Sequence, residues 1–307
     1  MLGLRVLAPL LWCLATAAAQ TCPSSDSGAA QVYTAAAGTQ ASTTAEALAT
    51  PSSAYDFAQE RVALEALYNA TGGEHWSGSV GAHQWFHSPC YCNWNGVICF
   101  NYSACDNSPV IGIKLDRQVP SIGTIINPHD GDNLVGTLPS WNGDPDQGAL
   151  PRLKILVITA NPRLTGTIPE AYGDMAEMTL MMMSNNSLSG SMPGSFGKMG
   201  KLDRLYLQHN KLDGTLAEAA GGMTALTILW LQNNKISGTL PKTWSRMTEM
   251  EQPYLHSNRL EGALPNAWST WTKVTHTDMS NNRFSATLPE AWGSWANIDQ
   301  MKIYATR

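Results

Sequence analysis

Charge, cysteine and long apolar runs are all scarce in this 307-residue chain. Only 14% of its residues are charged and the net charge is −5, so it lacks the basic surface that nucleic acid or an anionic membrane selects. Beyond Leu2–Ala19 no apolar segment is long enough to span a bilayer, and no lipid-anchor tail is read near Arg307. The sequence has no C-x-x-C, H-E-x-x-H, G-x-S-x-G or phosphate-loop motif, so no metal, cofactor or enzymatic reaction is expected. Leu2–Ala19 itself, with Arg5, a short apolar run and the small residues Ala17-Ala18-Ala19, reads as a secretory signal over residues 1–19; an uncleaved anchor is the weaker alternative. Residues 20–54 carry almost no large apolar groups and are rich in Ala, Ser and Thr. That composition predicts a disordered or O-glycosylated stem.

What the chain has instead is a repeat. Leu202, Leu205, Leu207, Asn210, Leu212, Gly214 and Leu216 are followed 24 positions on by Leu226, Leu229, Leu231, Asn234, Ile236, Gly238 and Leu240. The asparagine of this L-x-x-L-x-L-x-x-N-x-L-x-G-x-L-P frame recurs at Asn161, Asn186, Asn210, Asn234, Asn258 and Asn282. Fixed self-similarity of this kind predicts an α/β repeat solenoid of leucine-rich repeats. The expected form is a right-handed horseshoe, with short parallel strands on the concave face and irregular or 3-10 segments on the convex one. One coil buries nothing until a neighbour stacks on it. The asparagine, with donor and acceptor on a short stem, is expected to bond backbone groups of adjoining turns. The repeats extend over 110–307, with insertions near 118–132 and 142–149, and the last coil is incomplete. The first insertion holds Asn127-Pro128-His129-Asp130-Gly131-Asp132 and the second Asp144-Pro145-Asp146. Neither matches a calcium loop, and both read as solvated turns. Pro253 and Thr277 occupy inward leucine slots, and Pro253 predicts an interrupted strand. Ile298, Met301 and Ile303 open a further coil that a partner covers or a longer chain completes.

Aromatic residues fall in two kinds of slot. Tyr172, Phe196, Trp244, Trp268 and Trp292 stand three positions after the proline slot, and Met175, Met199, Met223, Met247, Trp271 and Trp295 three further on. Recurrence at one slot predicts core columns. Alternation along the strands places a different set outward. The central outward slot reads Val157, Met182, Tyr206, Trp230, Tyr254, Asp278; its neighbours include Arg204, Gln208, Gln232 and His256. No core slot explains Trp230 or Trp141. Arg204, Tyr206, Gln208, Trp230, Gln232, Tyr254, His256 and Asp278 are therefore the candidate ligand-binding residues, because aromatics and arginine dominate interface hot spots. Cross-strand stacking is the plain alternative. His209, His256 and His276 read as surface histidines.

Residues 55–109 form the expected cap. Asp56–Tyr68 has Phe57, Leu64, Leu67 and Tyr68 near helical spacing, with Ser53 as a weak cap. The run Cys92-Asn93-Trp94-Asn95-Gly96-Val97-Ile98-Cys99, after the Ala66-Leu67-Tyr68-Asn69-Ala70-Thr71-Gly72-Gly73 stretch, resembles the N-terminal cap of plant-type leucine-rich-repeat proteins. The resemblance implies a disulfide between Cys92 and Cys99, leaving Cys90 with Cys105; spacing alone leaves Cys90–Cys99 and other pairings open. Cys22 is left over, free or linking two chains as a dimer. Sequons at Asn69, Asn101 and Asn185 are candidate glycosylation sites.

The phrase Gly238-Thr239-Leu240-Pro241-Lys242-Thr243-Trp244-Ser245-Arg246-Met247 is echoed by Leu264–Ser269 and Leu288–Gly293. It resembles trypanosomatid promastigote surface antigens. Such proteins are secreted or lipid-anchored surface molecules implicated in host contact and complement evasion. Their Cys-rich C-terminal region and anchor signal have no counterpart here. The expected function is non-enzymatic extracellular recognition of a protein or glycan through the concave sheet, secreted or cell-surface associated. A structural glycosylated coat and an inhibitor of a secreted glycosidase are the alternatives.

Overall fold

The computed structural model describes residues 57–77, 85–86, 88–101, 108–115, 133–285 and 287–304. All belong to the unit Ser53–Arg307. The signal and stem expectations, Ser53, Cys22, Cys105 and the Asn127–Asp132 loop lie outside the described residues. Among the described residues no helix is long and apolar enough to cross a membrane.

This unit is a leucine-rich-repeat solenoid. Among the described residues one α-helix, α1 (Phe57–Ala70), precedes the strands β1 (Val97–Cys99), β2 (Val110–Leu115), β3 (Gly136–Thr137), β4 (Ile155–Ile158), β5 (Leu164–Thr165), β6 (Leu180–Met182) and β7 (Arg204–Tyr206). They are followed by β8 (Ile228–Trp230), β9 (Ser237–Thr239), β10 (Gln252–Tyr254), β11 (Arg259–Gly262), β12 (His276–Asp278), β13 (Arg283–Phe284) and β14 (Gln300–Lys302). Nine strands form one sheet in the order β1-β2-β4-β6-β7-β8-β10-β12-β14. Only β1–β2 is antiparallel; the coils add strands in parallel, with Arg204, Leu205 and Tyr206 paired to Ile228, Leu229 and Trp230. The register thus equals the sequence repeat, which stacks each slot on its copy.

The backbone of each coil follows from three recurring residues. The asparagine ladder forms as expected. Asn210 Nδ2 donates to Met183 O at 2.8 Å and Leu207 O at 3.1 Å, and its Oδ1 accepts from Leu188 N at 3.0 Å. Asn186, Asn234, Asn258 and Asn282 repeat the pattern. Just before each ladder asparagine the chain turns through positive φ, at Ala160, Asn185, His209, Asn233, Ser257 and Asn281, which releases it from the strand. After the proline slot come 3-10 turns at Glu170–Asp174, Gly194–Lys198, Lys242–Arg246, Asn266–Thr270 and Glu290–Ser294. Each opens on a proline held near the φ its ring dictates.

The ring columns are core. Trp244, Trp268 and Trp292 stack with centroids 6.2 Å apart and planes within 5°. Burial of an indole requires a partner for its N–H. That partner is a carbonyl of the preceding coil: Trp268 Nε1 donates to Pro241 O at 2.8 Å and Trp292 Nε1 to Pro265 O at 2.9 Å. Trp141 joins this column, contrary to expectation. It is buried, stacks on Tyr172 at 5.0 Å and donates its N–H to Ala63 O of α1 at 2.8 Å.

Three further features differ from the sequence reading. A second parallel sheet, β9-β11-β13, and the pair β3-β5 run beside the main sheet. The second insertion is more than a solvated turn. Asp144, Pro145 and Asp146 are exposed, yet Gly148 lies so close to α1 that a Cβ there would meet Gln59 O and Ala63 N at 2.3 Å. Strand β10 also continues through Pro253, which pairs normally on the β8 side. The missing proline N–H thins only the β12 side, where Tyr254 with Asp278 is the sole register pair. Thr277 Oγ1 compensates by donating to Pro253 O at 2.9 Å. The two departures from the leucine frame therefore act together.

The cap helix matches its expected position, and Cys92 is bonded to Cys99. Cys90 is also in a disulfide; its proposed partner Cys105 lies outside the described residues. Glu60 is the surprise, fully buried on the inner side of α1. Its carboxylate accepts from Val110 N–H and from Tyr91 Oη–H, each at 3.1 Å, tying α1 to the first strand of the repeats.

Candidate functional site

Strand alternation carries the candidate residues to the open face of the main sheet. Tyr206, Trp230, Tyr254 and Asp278 sit at paired register positions of β7, β8, β10 and β12. Arg204 and Ile228 are the paired outward positions on one side of this row, and Ser184, Gln208, Gln232, His256 and Ser280 follow the strand ends on the other.

The rings pack on one another more closely than a bare strip. Trp230 and Tyr254 stack at 5.4 Å with planes 20° apart. On the opposite side Tyr206 meets Trp230 at 5.0 Å and 86°. This packing corrects the expectation of a fully open row. Tyr206 is only 5% exposed, and Gln208 and Gln232 are 7% and 8% exposed. Arg204, Trp230, Tyr254, His256 and Asp278 are half-buried. Burial raises the Tyr206 phenol above its ordinary range, and burial with the Asp278 carboxylate does the same for Tyr254.

Charge on this face is sparse and balanced. Arg204 Nε lies 3.2 Å from Asp203 Oδ2, an ion pair without hydrogen-bond alignment. At the other end Asp278 Oδ2 is 3.7 Å from His256 Nδ1. Asp278 Oδ1 accepts from the Ser280 N–H at 3.0 Å and from the Ser280 hydroxyl at 2.5 Å. Burial pulls His256 below the ordinary histidine range, with Asp278 opposing, and burial lowers His209 as well. Both imidazoles are therefore neutral near pH 7.

The face also holds polar atoms with no hydrogen-bond partner in the described chain. They are Ser184 Oγ, Arg204 Nε, Gln208 Oε1, Trp230 Nε1, Gln232 Oε1 and His256 Nδ1. Buried polar groups are ordinarily paired, so this cluster is unusual, and it coincides with the predicted strip. Ser184, fully buried, was not a sequence candidate; its slot beside Gln208 was legible, but serine carries no composition signal. Of the sequon asparagines, Asn69 and Asn101 are exposed and Asn185 is half-buried. Among the described residues no group of three or more His, Cys, Asp or Glu is placed to hold a metal.

The leucine rich repeat family matches residues 151–212 and again 225–247. Several solved structures share the fold. The PEPR1–AtPEP1 complex superposes with a TM-score of 0.65 at 21% identity, covering 80% of this chain and 31% of that one. A plant ice-binding protein gives 0.61 at 22% identity, covering 81% of this chain and 71% of that one. The Arabidopsis receptor kinase HAESA ectodomain, bound to an IDA peptide hormone, gives 0.55 at 24% identity, covering 80% and 40%. The chain spans about a third of the receptor chains it resembles. These likenesses establish the fold. No curated protein matches the chain, so the likeness to trypanosomatid surface antigens rests on the phrases quoted above.

Proposed function

We propose that this chain is a non-enzymatic extracellular recognition protein that binds a protein or glycan through the open face of its main sheet. The observation that carries the reading is the strip Tyr206–Trp230–Tyr254. These rings occupy outward slots that the core does not need, and unpaired polar atoms of Gln208, Trp230, Gln232 and His256 surround them. Half-buried aromatics beside arginine and amide groups are the composition of an interface hot spot. The HAESA ectodomain structure, which shares the fold, is a complex with a peptide hormone. The signal-like segment 1–19 supports secretion, with residues 20–54 as a stem, 55–109 as the cap and 110–307 as the repeats. Glycans at Asn69, Asn101 and Asn185, and surface display of the trypanosomatid antigen type, belong to the same reading.

One observation favours a second reading, a glycosylated structural coat: Tyr206 is almost fully covered by its neighbours, as stacking that only stabilises the sheet would have it. Capture from serum and from cell surfaces separates the two. Wild-type protein is expected to retain partners that Trp230→Ala/Tyr254→Ala does not. Equal capture by both would favour the coat.

A further inference from the structure

We infer that Asn69 and Asn185 accept an N-linked glycan only while their part of the chain is unfolded, so that folding and modification compete at both sites. This rests on the reading of the chain as secreted, and adds that glycan occupancy is fixed before the coils close.

The transfer asks for two side chains. The sequon asparagine Nδ2 bonds to C1 of a lipid-diphosphate-linked oligosaccharide, one of its protons passes to the transferase, and the lipid diphosphate leaves. The transferase reads the asparagine together with the hydroxyl two residues on, so that hydroxyl has to be reachable as well. In the fold only the asparagines meet this condition. Asn69 is exposed and Asn185 half-buried, whereas Thr71 is 0% and Ser187 8% exposed. Each hydroxyl is also engaged: Thr71 Oγ1 donates to Leu67 O at 2.6 Å and Ser187 Oγ to Pro162 O at 2.8 Å.

Freeing either hydroxyl breaks more than that one bond. Thr71 O accepts from Val135 N–H at 2.9 Å and from Trp76 Nε1 at 3.0 Å, joining the cap to the coil that follows. The middle residue of the second sequon, Asn186, is itself a ladder asparagine. Its Nδ2 donates to Ile158 O at 2.8 Å and Met183 O at 3.0 Å, and Ser187 N–H donates to Leu164 O at 2.9 Å. Drawing Asn185–Ser187 out into an enzyme groove therefore dismantles a rung, and such local opening is rare in a packed element. The lock also needs the next coil. Asn185 N–H donates to Gln208 O and Leu188 N–H to Asn210 Oδ1, each at 3.0 Å. The second sequon thus stays open until the coil carrying Gln208 and Asn210 has been made and has docked.

The test gives purified oligosaccharyltransferase and its lipid-linked oligosaccharide to full-length chain produced without glycan, either folded or freshly diluted from urea. Occupancy at each asparagine is read by mass spectrometry after enzymatic release of the glycan in heavy-oxygen water. The diluted chain is expected to carry at least about tenfold more glycan than the folded chain at both Asn69 and Asn185. Folded Asn210→Ala, which removes the acceptor of Leu188 N–H, should gain occupancy at Asn185 and none at Asn69. Equal occupancy of folded and diluted chains overturns the inference, and so does a diluted chain left bare at both sequons. A rise at both sites alike in Asn210→Ala overturns the assignment of the lock to the next coil. Secretion is tested separately, by the presence of the chain in the medium of expressing cells, so its failure is not confused with failure of the lock.

Discussion

Replacing Asn234 with alanine isolates the contribution of one rung of the asparagine ladder. Its Nδ2 donates to Leu207 O and Leu231 O, each at 3.0 Å, and its Oδ1 accepts from Leu212 N at 3.0 Å. A fourth, longer bond runs from Nδ2 to Gln232 O at 3.5 Å, and the other three are not equivalent. Leu207 O also receives Asn210 Nδ2 at 3.1 Å, and Leu231 O also receives Asn258 Nδ2 at 3.0 Å, so each carbonyl keeps one donor. Each of those losses is worth about 0.5–1 kcal/mol. Leu212 N–H loses its ladder acceptor between two coils, at about 1–3 kcal/mol. The expected destabilisation is therefore about 2–5 kcal/mol, read from urea unfolding followed by far-UV circular dichroism. Asn234→Asp sharpens the test. Its first oxygen still accepts from Leu212 N–H, but its second faces two carbonyls. The charged form is disfavoured in the fold, so the folded pKa is raised, and the penalty should shrink as pH falls from 7 to 4 and the acid becomes a donor. An Asn234→Ala loss below about 1 kcal/mol with an unchanged m-value would refute the assignment of the ladder as a main source of coil-to-coil cohesion.

Other expectations are simpler. Trp268→Ala opens the middle of the ring column and removes a bond to Pro241 O; a loss of about 3–5 kcal/mol is expected in the same urea experiment. Removing the Cys92–Cys99 disulfide as Cys92→Ala/Cys99→Ala should cost about 2–3 kcal/mol, reading as a lower cap melting transition by calorimetry. His256 binds its proton less readily folded than unfolded. Its contribution to stability is present above the ordinary histidine range and is lost as pH falls through the lower folded value. His256→Asn should flatten the fall in urea midpoint between pH 7 and pH 5, and an unchanged slope would count against the burial.

The ladder, the columns and the strand register were legible because each depends on one residue type recurring at one slot. Where two contacts decide a residue's place, sequence pattern was silent. Glu60 was not singled out by the helical spacing, and the Val110 N–H and Tyr91 hydroxyl that its carboxylate meets account for its burial. Pro253 looks fatal to a strand until Thr277 is seen to bond its carbonyl. Trp141 has no slot of its own, because the insertion that follows folds it back onto α1. The second sheet carries no apolar alternation that marks it, since its strands, β9, β11 and β13, are each only two to four residues long. At the candidate site, alternation gave the register row Tyr206, Trp230, Tyr254 and Asp278 but not the burial of Tyr206, Gln208 and Gln232. It was blind to how far the rings would close over one another, because that depends on how each ring is turned against those of the adjacent strands.

The most direct test of the central claim is the affinity of a captured partner for wild type and for Trp230→Ala/Tyr254→Ala, measured by surface plasmon resonance. Lys242→Ala/Arg246→Ala, on exposed positions of a 3-10 turn away from the main sheet, serves as the control. Loss of two hot-spot rings should weaken binding by about thirtyfold or more, and the control should leave it unchanged. Equal affinity for wild type and the ring variant, or a loss confined to the control, would contradict the assignment of the strip as the contact surface.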